Sequence, residues 1–162
     1  MSTVRVVVPL NADLQAISDS IQNQMEGRAV RASYELYNSA QRVLRGQRSG
    51  RRYKVPGTYK RQRDKTDGKM KNGRYYTASA PGEPPAVRTG AFRMSWQPYA
   101  RRVYGVYFSR IESDLTVDGG RYNLGDILEN GTKRMAPRPY EEKIIQGAEN
   151  RINAIYSEPY IF

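Results

Sequence analysis

Residues 78–96 read ASAPGEPPAVRTGAFRMSW, and this stretch separates a helix and a basic loop from a later group of strands. Pro81, Pro84 and Pro85 fix their own φ angles and keep the residues before them out of the helical region. Residues 79–86 are therefore predicted to form a stiff, extended arm. Such an arm suits contact with a neighbouring subunit better than it suits catalysis.

Beyond the arm the pattern changes to alternation, with Phe92 and Trp96 on one side of the chain and polar residues on the other. This period of two predicts a half-buried strand over 92–97. A second strand is predicted over 102–109. Residues 98–101, which include a proline, are expected to connect the two strands as a hairpin.

A long amphipathic helix is predicted before the arm. Apolar residues recur at helical spacing from Leu14 to Val43, and Asn11 or Asp13 is in position to cap the first turn. The small alanines of this stripe would let the helix lie close to a sheet. The β-branched segment 3–10 predicts a short edge strand ahead of it.

Two helices, an extended piece and a tail are predicted after the hairpin. Residues 123–129 predict a short helix that ends at Gly131, and 133–139 predict a proline-bounded extended piece. The final helix, 140–156, carries acidic residues in its first turn, where the helix dipole favours them. The tail, 157–162, ends on apolar side chains, which indicates docking onto another surface.

These elements predict an α+β fold, with a small antiparallel sheet packed by a long N-terminal helix and a C-terminal helix. At 162 residues the chain fits a single domain with a thin core. The predicted divisions of the domain 1–162 are the long helix 11–46, the basic loop and extended arm 47–86, the sheet with a short helix 87–139, the C-terminal helix 140–156 and the tail 157–162.

Positive charge is concentrated in one segment. The chain has 27 basic and 16 acidic residues, a net charge of +11, and twelve of the basic residues lie between Arg45 and Arg74 beside two aspartates. Interleaved tyrosines fit phosphate contact with occasional base stacking. The alternative is a flexible loop that an acidic protein neighbour orders. No recognition motif accompanies the charges, so any nucleic-acid binding would be sequence-independent.

We call residues 45–74 the basic segment, and its side chains are the candidates for contact with a protein partner or DNA. They are Arg45, Arg48, Arg51, Arg52, Lys54, Lys60, Arg61, Arg63, Lys65, Lys69, Lys71 and Arg74.

Composition argues against an enzyme. The chain has no cysteine and no histidine, which removes disulfides, thiolate chemistry and the commonest general base and metal ligand. The acidic residues Glu112, Asp114 and Asp118 fit a solvated turn better than a metal site. We therefore expect no catalytic residue, cofactor or metal. No apolar run reaches membrane-spanning length, so we expect a protein made in the cytoplasm without a membrane partner.

Three separated blocks, PPAVRTGAFRMS at 84–95, LENGT at 128–132 and MAPRPY at 135–140, resemble segments of the neck and tail-completion proteins of tailed bacteriophages. Residues 84–95, PPAVRTGAFRMS, are similar to that family's Pro-Pro block followed by Asp/Arg-Thr-Gly-x-Leu-x-x-Ser. Residues 128–132, LENGT, resemble its Leu-Glu-aromatic-Gly-Thr segment, and 135–140, MAPRPY, resemble its Ala-Arg-Pro-Phe entry to the last helix. The order and spacing of the blocks, which span about half of the chain, carry the resemblance.

The resemblance implies a small α+β subunit of a homo-oligomeric ring, a hexamer or dodecamer, at the head-tail junction of a virion. Its expected neighbours are neck, portal-adaptor and tail-tube or terminator proteins, with non-specific DNA contact as a further option. The expected arm and inter-subunit contacts are Pro84, Pro85, Arg88, Thr89, Phe92, Glu129, Thr132 and Arg138, and Tyr160, Ile161 and Phe162 are the expected tail-docking residues.

Alternatives remain open at this point. A tail-terminator ring subunit is the nearest one, and a free, sequence-independent nucleic-acid-binding protein comes from another class. For Gly131 and Thr132 in particular, turn formation within the chain explains the residues as well as contact with a neighbour does.

Overall fold

The computed structural model of the chain describes residues 10–55, 62–63, 70–71 and 74–161. It confirms the predicted α+β class, with a long N-terminal helix, small antiparallel sheets and a C-terminal helix. Of the predicted first strand, residues 3–9 lie outside the described residues and Leu10 already belongs to the first helix.

The described residues form four helices and eight strands. The helices are α1 (Leu10–Arg45), α2 (Ala91–Met94), α3 (Leu124–Asn130) and α4 (Glu141–Tyr156). The strands are β1 (Arg52–Lys54), β2 (Gln62–Arg63), β3 (Met70–Lys71), β4 (Tyr75–Thr77), β5 (Trp96–Val103), β6 (Val106–Ser113), β7 (Thr116–Val117) and β8 (Tyr122–Asn123). They pair antiparallel as β1–β4, β2–β3, β5–β6 and β7–β8.

Helix α1 is the central element on which the others pack, and its small residues let them approach closely. Ala29, Ala32 and Ala40 are fully buried beneath the β5–β6 hairpin and α4. The Ser109 hydroxyl donates to the Ala29 carbonyl at 2.8 Å, which fixes the hairpin on the helix. On the other side, the Ser39 hydroxyl donates to the Ile144 carbonyl at 2.7 Å and ties α4 to α1.

The core lies where the C-terminal end of α1 meets α4 and the hairpin. Its largest fully buried side chain is Tyr140, which meets Phe92 and Trp96 edge to face with ring centroids 5.5 and 5.8 Å away. Leu44 and Ile144 complete this small cluster. Such aromatic pairs add to the stabilisation that burial provides.

A hairpin forms, as predicted, but its strands and turn are displaced: the strand predicted over 102–109 covers the end of β5, the turn and the first half of β6. Tyr104 and Gly105 make the turn, with φ angles of 49° and 82°, and Val103 pairs with Val106 across it. Along the hairpin, hydrogen-bonded residue pairs alternate with pairs that are not hydrogen-bonded. Counted from the turn, Pro98 falls in a pair that is not hydrogen-bonded, so its nitrogen faces the edge of the sheet and no ladder hydrogen bond is lost. The prediction that 98–101 connect the strands was therefore wrong.

The predicted strand over 92–97 is also corrected. Residues 91–94 form the short helix α2, in which the Met94 and Ser95 amides donate to Gly90 and Ala91 carbonyls at 3.0 and 2.9 Å. Gly90 has a φ of 90°, so it turns the chain into this helix. Met94 is consequently exposed while Phe92 still packs on the core, and alternation resumes only in β5.

The described residues of the basic segment include paired strands that the sequence did not predict. Strand β1 pairs with β4, with Tyr53 opposite Tyr76, and β2 pairs with β3 further out in the sequence. Hydrogen bonds between Gly50 and Ala78 and between Val55 and Arg74 continue the first pair at both ends, at 3.0 and 2.7 Å. We call this paired structure, residues 50–55 and 74–78, the basic ribbon.

Several smaller expectations are corrected or confirmed at element ends. Helix α1 begins at Leu10, so neither Asn11 nor Asp13 is its cap. Helix α3 follows the prediction, with the Asn123 side chain accepting from the Gly125 amide at 2.7 Å. The extended piece predicted over 133–139 forms a single bridge between Thr132 and Met135 instead of a strand.

Candidate interaction surfaces

The second and third blocks that carry the resemblance meet the start of the arm, just before the first block, at one joint. The Arg138 guanidinium donates to the carbonyl and hydroxyl oxygens of Ser79, which is buried. The Arg138 amide donates to the Leu128 carbonyl at 2.8 Å, and the Gly82 amide donates to the Pro137 carbonyl at 3.2 Å. Arg138 therefore links the arm to the loop before α4 within one chain.

The Glu129 side chain, from the end of α3, caps the N-terminus of α4. Its carboxylate accepts from the amides of Tyr140 and Glu141 at 2.9 and 3.3 Å, which satisfies two of the free donors at that helix end. A carboxylate at this place also complements the positive end of the helix dipole. The sequence had predicted a contact role for Glu129 without locating this partner.

Gly131 and Thr132 close the turn between α3 and α4. Gly131 has a φ of 74°, and a Cβ there would lie 2.6 Å from the Met135 carbonyl oxygen, so glycine is required. Thr132 and Met135 exchange backbone hydrogen bonds of 2.8 and 3.2 Å, and the Thr132 hydroxyl accepts from the Arg134 amide. This is the turn formation within the chain that the sequence left open.

The arm is folded rather than extended throughout. Gly82 has a φ of 78°, and the Glu83 amide donates to the Ala80 carbonyl at 3.1 Å, which makes a turn in the predicted straight segment. The Glu83 carboxylate returns to accept from the Ser49 hydroxyl at 2.6 Å and from the Ser49 and Ala80 amides. These hydrogen bonds, that of the Ser49 hydroxyl first, lower the pKa of Glu83 to about 2.

Arg48 also serves the arm, although the sequence assigned it to partner contact. Its guanidinium donates to the Pro85 carbonyl at 3.1 and 3.3 Å and to the Val43 carbonyl at 2.8 Å. Burial lowers the pKa of Arg48. Pro84 and Pro85 are themselves buried, so this part of the arm is held against the end of α1.

The arm continues past Pro85 into an exposed stretch. Arg88 is exposed, and no hydrogen bond or ion pair joins it to another described residue. The Thr89 hydroxyl accepts from the Ala91 amide at 3.3 Å. Of the predicted arm contacts, Arg88 therefore keeps its charged group available, whereas Phe92 belongs to the core.

An open apolar groove lies beside the arm and was not foreseen from the sequence. We call it the arm groove; it has a volume of about 380 Å³. Its apolar wall and floor include Leu44, Val87, Phe92, Leu115, Leu128 and Met135. The charged residues that line it, Arg88, Arg93 and Arg138, are all positive. Because its lining comes from five separate parts of the chain, no local sequence pattern marks it.

The basic ribbon presents arginine and tyrosine side chains together. Arg52 lies over the Tyr75 ring at 4.7 Å from its centroid, and Arg51 lies over Tyr53 at 5.7 Å. Tyr53 in turn stacks on Tyr76. Such cation–aromatic surfaces suit phosphates and stacked bases as well as acidic protein groups.

The remaining predicted contacts of the basic segment divide by position. Arg45 is exposed at the end of α1. Lys54 and Arg74 lie on the ribbon and are exposed, and Arg63 and Lys71 belong to β2 and β3. Lys60, Arg61, Lys65 and Lys69 lie outside the described residues.

The tail docks on α1 of its own chain. Arg28 donates to the Pro159 carbonyl at 2.9 Å and lies over the Tyr160 ring, 4.1 Å from its centroid. Gln24 exchanges hydrogen bonds with the backbone of Ile161 at 2.7 and 3.1 Å. The Ile161 side chain stays 77% exposed, so polar groups hold the tail, and Phe162 lies outside the described residues.

Two negative findings apply to the described part of the chain. In residues 10–55, 62–63, 70–71 and 74–161, no helix has both the length and the apolar character needed to cross a membrane. Within the same ranges no group of three or more acidic side chains is arranged to hold a metal ion.

Comparison with known proteins yields no relative: no family model, no curated protein and no solved structure matches this chain.

Proposed function

We propose that this chain is a structural protein of the head-tail junction of a tailed bacteriophage, a neck or tail-completion protein without enzymatic activity. It acts in the virion as a ring of identical subunits, after assembly in the host cytoplasm. Its neighbours are neck, portal-adaptor and tail-tube or terminator proteins. The basic segment, the arm and the tail supply the contacts.

One observation carries this proposal. The three blocks that resemble the phage family are separate in the sequence but meet in the fold, because Glu129 of the second block accepts from the Tyr140 amide of the third and Phe92 of the first block packs on the Tyr140 ring. Arg138 of the third block also donates to Ser79, which lies in the arm just before the first block. The joint also fixes the arm beside the arm groove, which is the arrangement that a ring subunit needs for a neighbour.

The basic ribbon supports a contact role at an anionic surface. A subunit with a net charge of +11, repeated around a ring, would present a strongly positive collar. DNA in the channel and an acidic face of a neighbouring protein are the two surfaces it fits. Glu129 caps α4 and Thr132 forms a turn, both within the chain, so their proposed part is to shape the joint.

The test is a particle-assembly experiment with a trimmed basic segment. Val55 and Arg74 are hydrogen-bonded across the ribbon, so an Asn-Gly turn can replace residues 56–73 without disturbing β1 and β4. In phage particles that lack the wild-type protein, we expect filled heads and finished tails to stay separate. The wild-type chain should restore joining, and the trimmed chain should fold but fail to restore it.

Electron microscopy with an antibody against the chain gives the second measurement. Label at the head-tail junction is expected. Label elsewhere on the particle, or normal joining without the protein, would overturn the proposal. A tail-terminator role predicts a different defect, namely tails of irregular length.

A free nucleic-acid-binding protein remains the second candidate, because the ribbon combines exposed arginines with tyrosines. In that case the isolated chain should bind DNA tightly, with an affinity that falls steeply as salt rises. The structural role predicts weak DNA binding by the isolated chain. Titration of a DNA duplex at several salt concentrations separates the two.

A further inference from the structure

The N-terminal end of α1 extends past everything that covers the rest of the helix. The hairpin reaches α1 at Gln22, whose carbonyl accepts from the Tyr107 hydroxyl at 3.3 Å. The tail ends beside it, at Gln24, which is bonded to Ile161. Residues 10–21 lie beyond both, and we call them the helix end.

The helix end carries apolar side chains that the described residues leave uncovered. Leu14 and Ile17, the first residues of the α1 stripe, are 60% and 42% exposed. The side-chain hydrogen bonds found over 13–21 stay within the helix, for example from Gln15 to Asp19. Since twelve helical residues are marginal in water on their own, a partner for this stripe would stabilise it.

Charge also distinguishes the helix end from the rest of this basic protein. Between Leu10 and Gly27 the helix carries Asp13, Asp19 and Glu26 and no basic residue. The dipole of α1 accounts for an acidic residue in the first turn, which is Asp13. Asp19 and Glu26 lie beyond that turn and on the face opposite Leu14 and Ile17, so Asp13 is the acidic residue that borders the exposed apolar side chains.

The arm groove is the complementary surface at the opposite end of the same helix. It is apolar, its floor is Leu44, and its charged lining residues are all arginines. Among the described residues the Nε atom of Arg93 is buried without a hydrogen-bond partner, and Arg88 has no partner. At 1.5 Å per residue, Leu14 and Leu44 are about 45 Å apart, so the helix end of a chain cannot reach the arm groove of that same chain.

We propose that the helix end of one copy binds in the arm groove of the next copy. Leu14 and Ile17 would contact the apolar wall, while Asp13, one turn before Ile17 on the same side of the helix, would face the exposed Arg88 at the rim. Two different surfaces at opposite ends of one subunit make a head-to-tail contact, which closes into a ring when the rotation allows. This inference rests on the ring assembly in the proposed function and adds the two surfaces that form it.

The absence of cysteine permits a direct test by disulfide trapping. Ile17→Cys and Val87→Cys, made together in the full chain, put one thiol on the helix end and one on the exposed part of the groove. Mild oxidation should give a ladder of linked dimers, trimers and higher species. A disulfide needs Cα atoms roughly 4.4–6.8 Å apart, so the ladder cannot come from links within one chain.

Val30 provides the matched control, because it lies on the same helix and is 40% exposed, close to the 42% of Ile17. The pair Val30→Cys and Val87→Cys should give no ladder. Mixing the single variants Ile17→Cys and Val87→Cys should give one dimer that contains one of each. Thermal unfolding and thiol labelling check that every variant is folded and reactive.

Charge reversal adds a readout that does not depend on the apolar contact. Asp13→Arg should lower the yield of the ladder several-fold, and Arg88→Glu in the same chain should restore part of it. No linked product from folded, reactive protein would overturn the inference. Equal ladders from the Val30 and Ile17 pairs, or a predominance of Ile17–Ile17 dimers, would overturn it as well.

The outcomes separate this inference from the proposed function. A specific ladder, with no effect of the protein on joining heads to tails, would leave the head-to-tail contact standing and remove the phage role. In assembled particles, Val87→Cys linked to a different protein would place another occupant in the groove. That result would overturn the contact between copies and leave the junction role intact.

Discussion

The two ends of α1 differ in a way that hydrophobicity does not explain. At the C-terminal end, Ala40 and Leu44 are buried against α4 and the hairpin, whereas at the N-terminal end the equally apolar Leu14 and Ile17 are exposed. The same stripe runs through both ends. What differs is how far the hairpin and the tail reach along the helix, since both stop near Gln22 and Gln24. A stripe therefore shows which face is apolar but not what covers it.

The largest expected effect comes from one substitution made at both ends of the helix. Leu44 is 2% exposed and Leu14 is 60% exposed. Leu44→Ala should lower the free energy of unfolding by about 2–5 kcal/mol, because it leaves a cavity in the core cluster. Leu14→Ala should change it by no more than about 0.5 kcal/mol in the monomer. Urea unfolding of the two variants gives both numbers, and equal losses would contradict the difference between the ends.

Two helical glycines sharpen the comparison with a smaller effect. A Cβ on Gly147 would lie 2.5 Å from the Ser39 hydroxyl between α4 and α1, while a Cβ on Gly27 would meet nothing within 4 Å. Gly147→Ala should therefore cost about 1–3 kcal/mol through overpacking. Gly27→Ala should gain about 0.5–1 kcal/mol, because alanine favours the helix.

The control for the glycine pair is a third substitution. Ser39→Ala removes the atom that the new methyl group would strike, so it should recover part of the stability lost by Gly147→Ala. Additive losses in the double variant would show that the contact between these residues is not the cause.

The smallest effect concerns pH and the loop just after the covered end of α1. The pKa of Glu83 is lowered from 4.5 to about 2, chiefly by the Ser49 hydroxyl. Its contribution to stability is thus complete above about pH 4.5 and is lost as the pH falls towards about 2. Glu83→Gln should lower the thermal midpoint slightly at neutral pH and reduce the loss of stability in that window.

Thermal unfolding between pH 2 and pH 7 measures this effect. The exposed Glu149→Gln in α4 is the matched loss of a carboxylate and should follow the wild-type curve. If Glu83→Gln also follows the wild-type curve, its hydrogen bonds to Ser49 and Ala80 do not fix the arm in solution.

Sequence reasoning succeeded where one local signal determines the structure. The period of 3.6 predicted α1 and α4, and the apolar residues of 123–129 before Gly131 predicted α3. It failed where the deciding contact is distant or competes with a similar pattern. The spacing of Phe92 and Trp96 fits a strand. Residues 91–94 nevertheless form a short helix that starts after Gly90, whose carbonyl accepts a hydrogen bond from the Met94 amide.

The candidate surfaces were harder to predict than the elements. Strand β1 has polar alternation and its partner lies more than twenty residues away, so the pairing left no apolar signal. Arg48 resembles its basic neighbours in the sequence, and only the position of Pro85 shows that it holds the arm. The hydrogen bonds from Arg138 to Ser79 join two segments that are far apart in the sequence, and neither segment by itself indicates the other as its partner.

The single tryptophan of the chain gives this molecule a built-in optical reporter. Trp96 lies 9% exposed against Phe92 and Tyr140, where the hairpin, α2 and α4 meet, so its fluorescence follows the core alone. Far-ultraviolet circular dichroism is dominated by α1, the longest helix that the structure describes. An ellipticity loss that precedes the change in emission would show the helix end fraying while the core stays intact, and linkage into a ladder should bring the two transitions together.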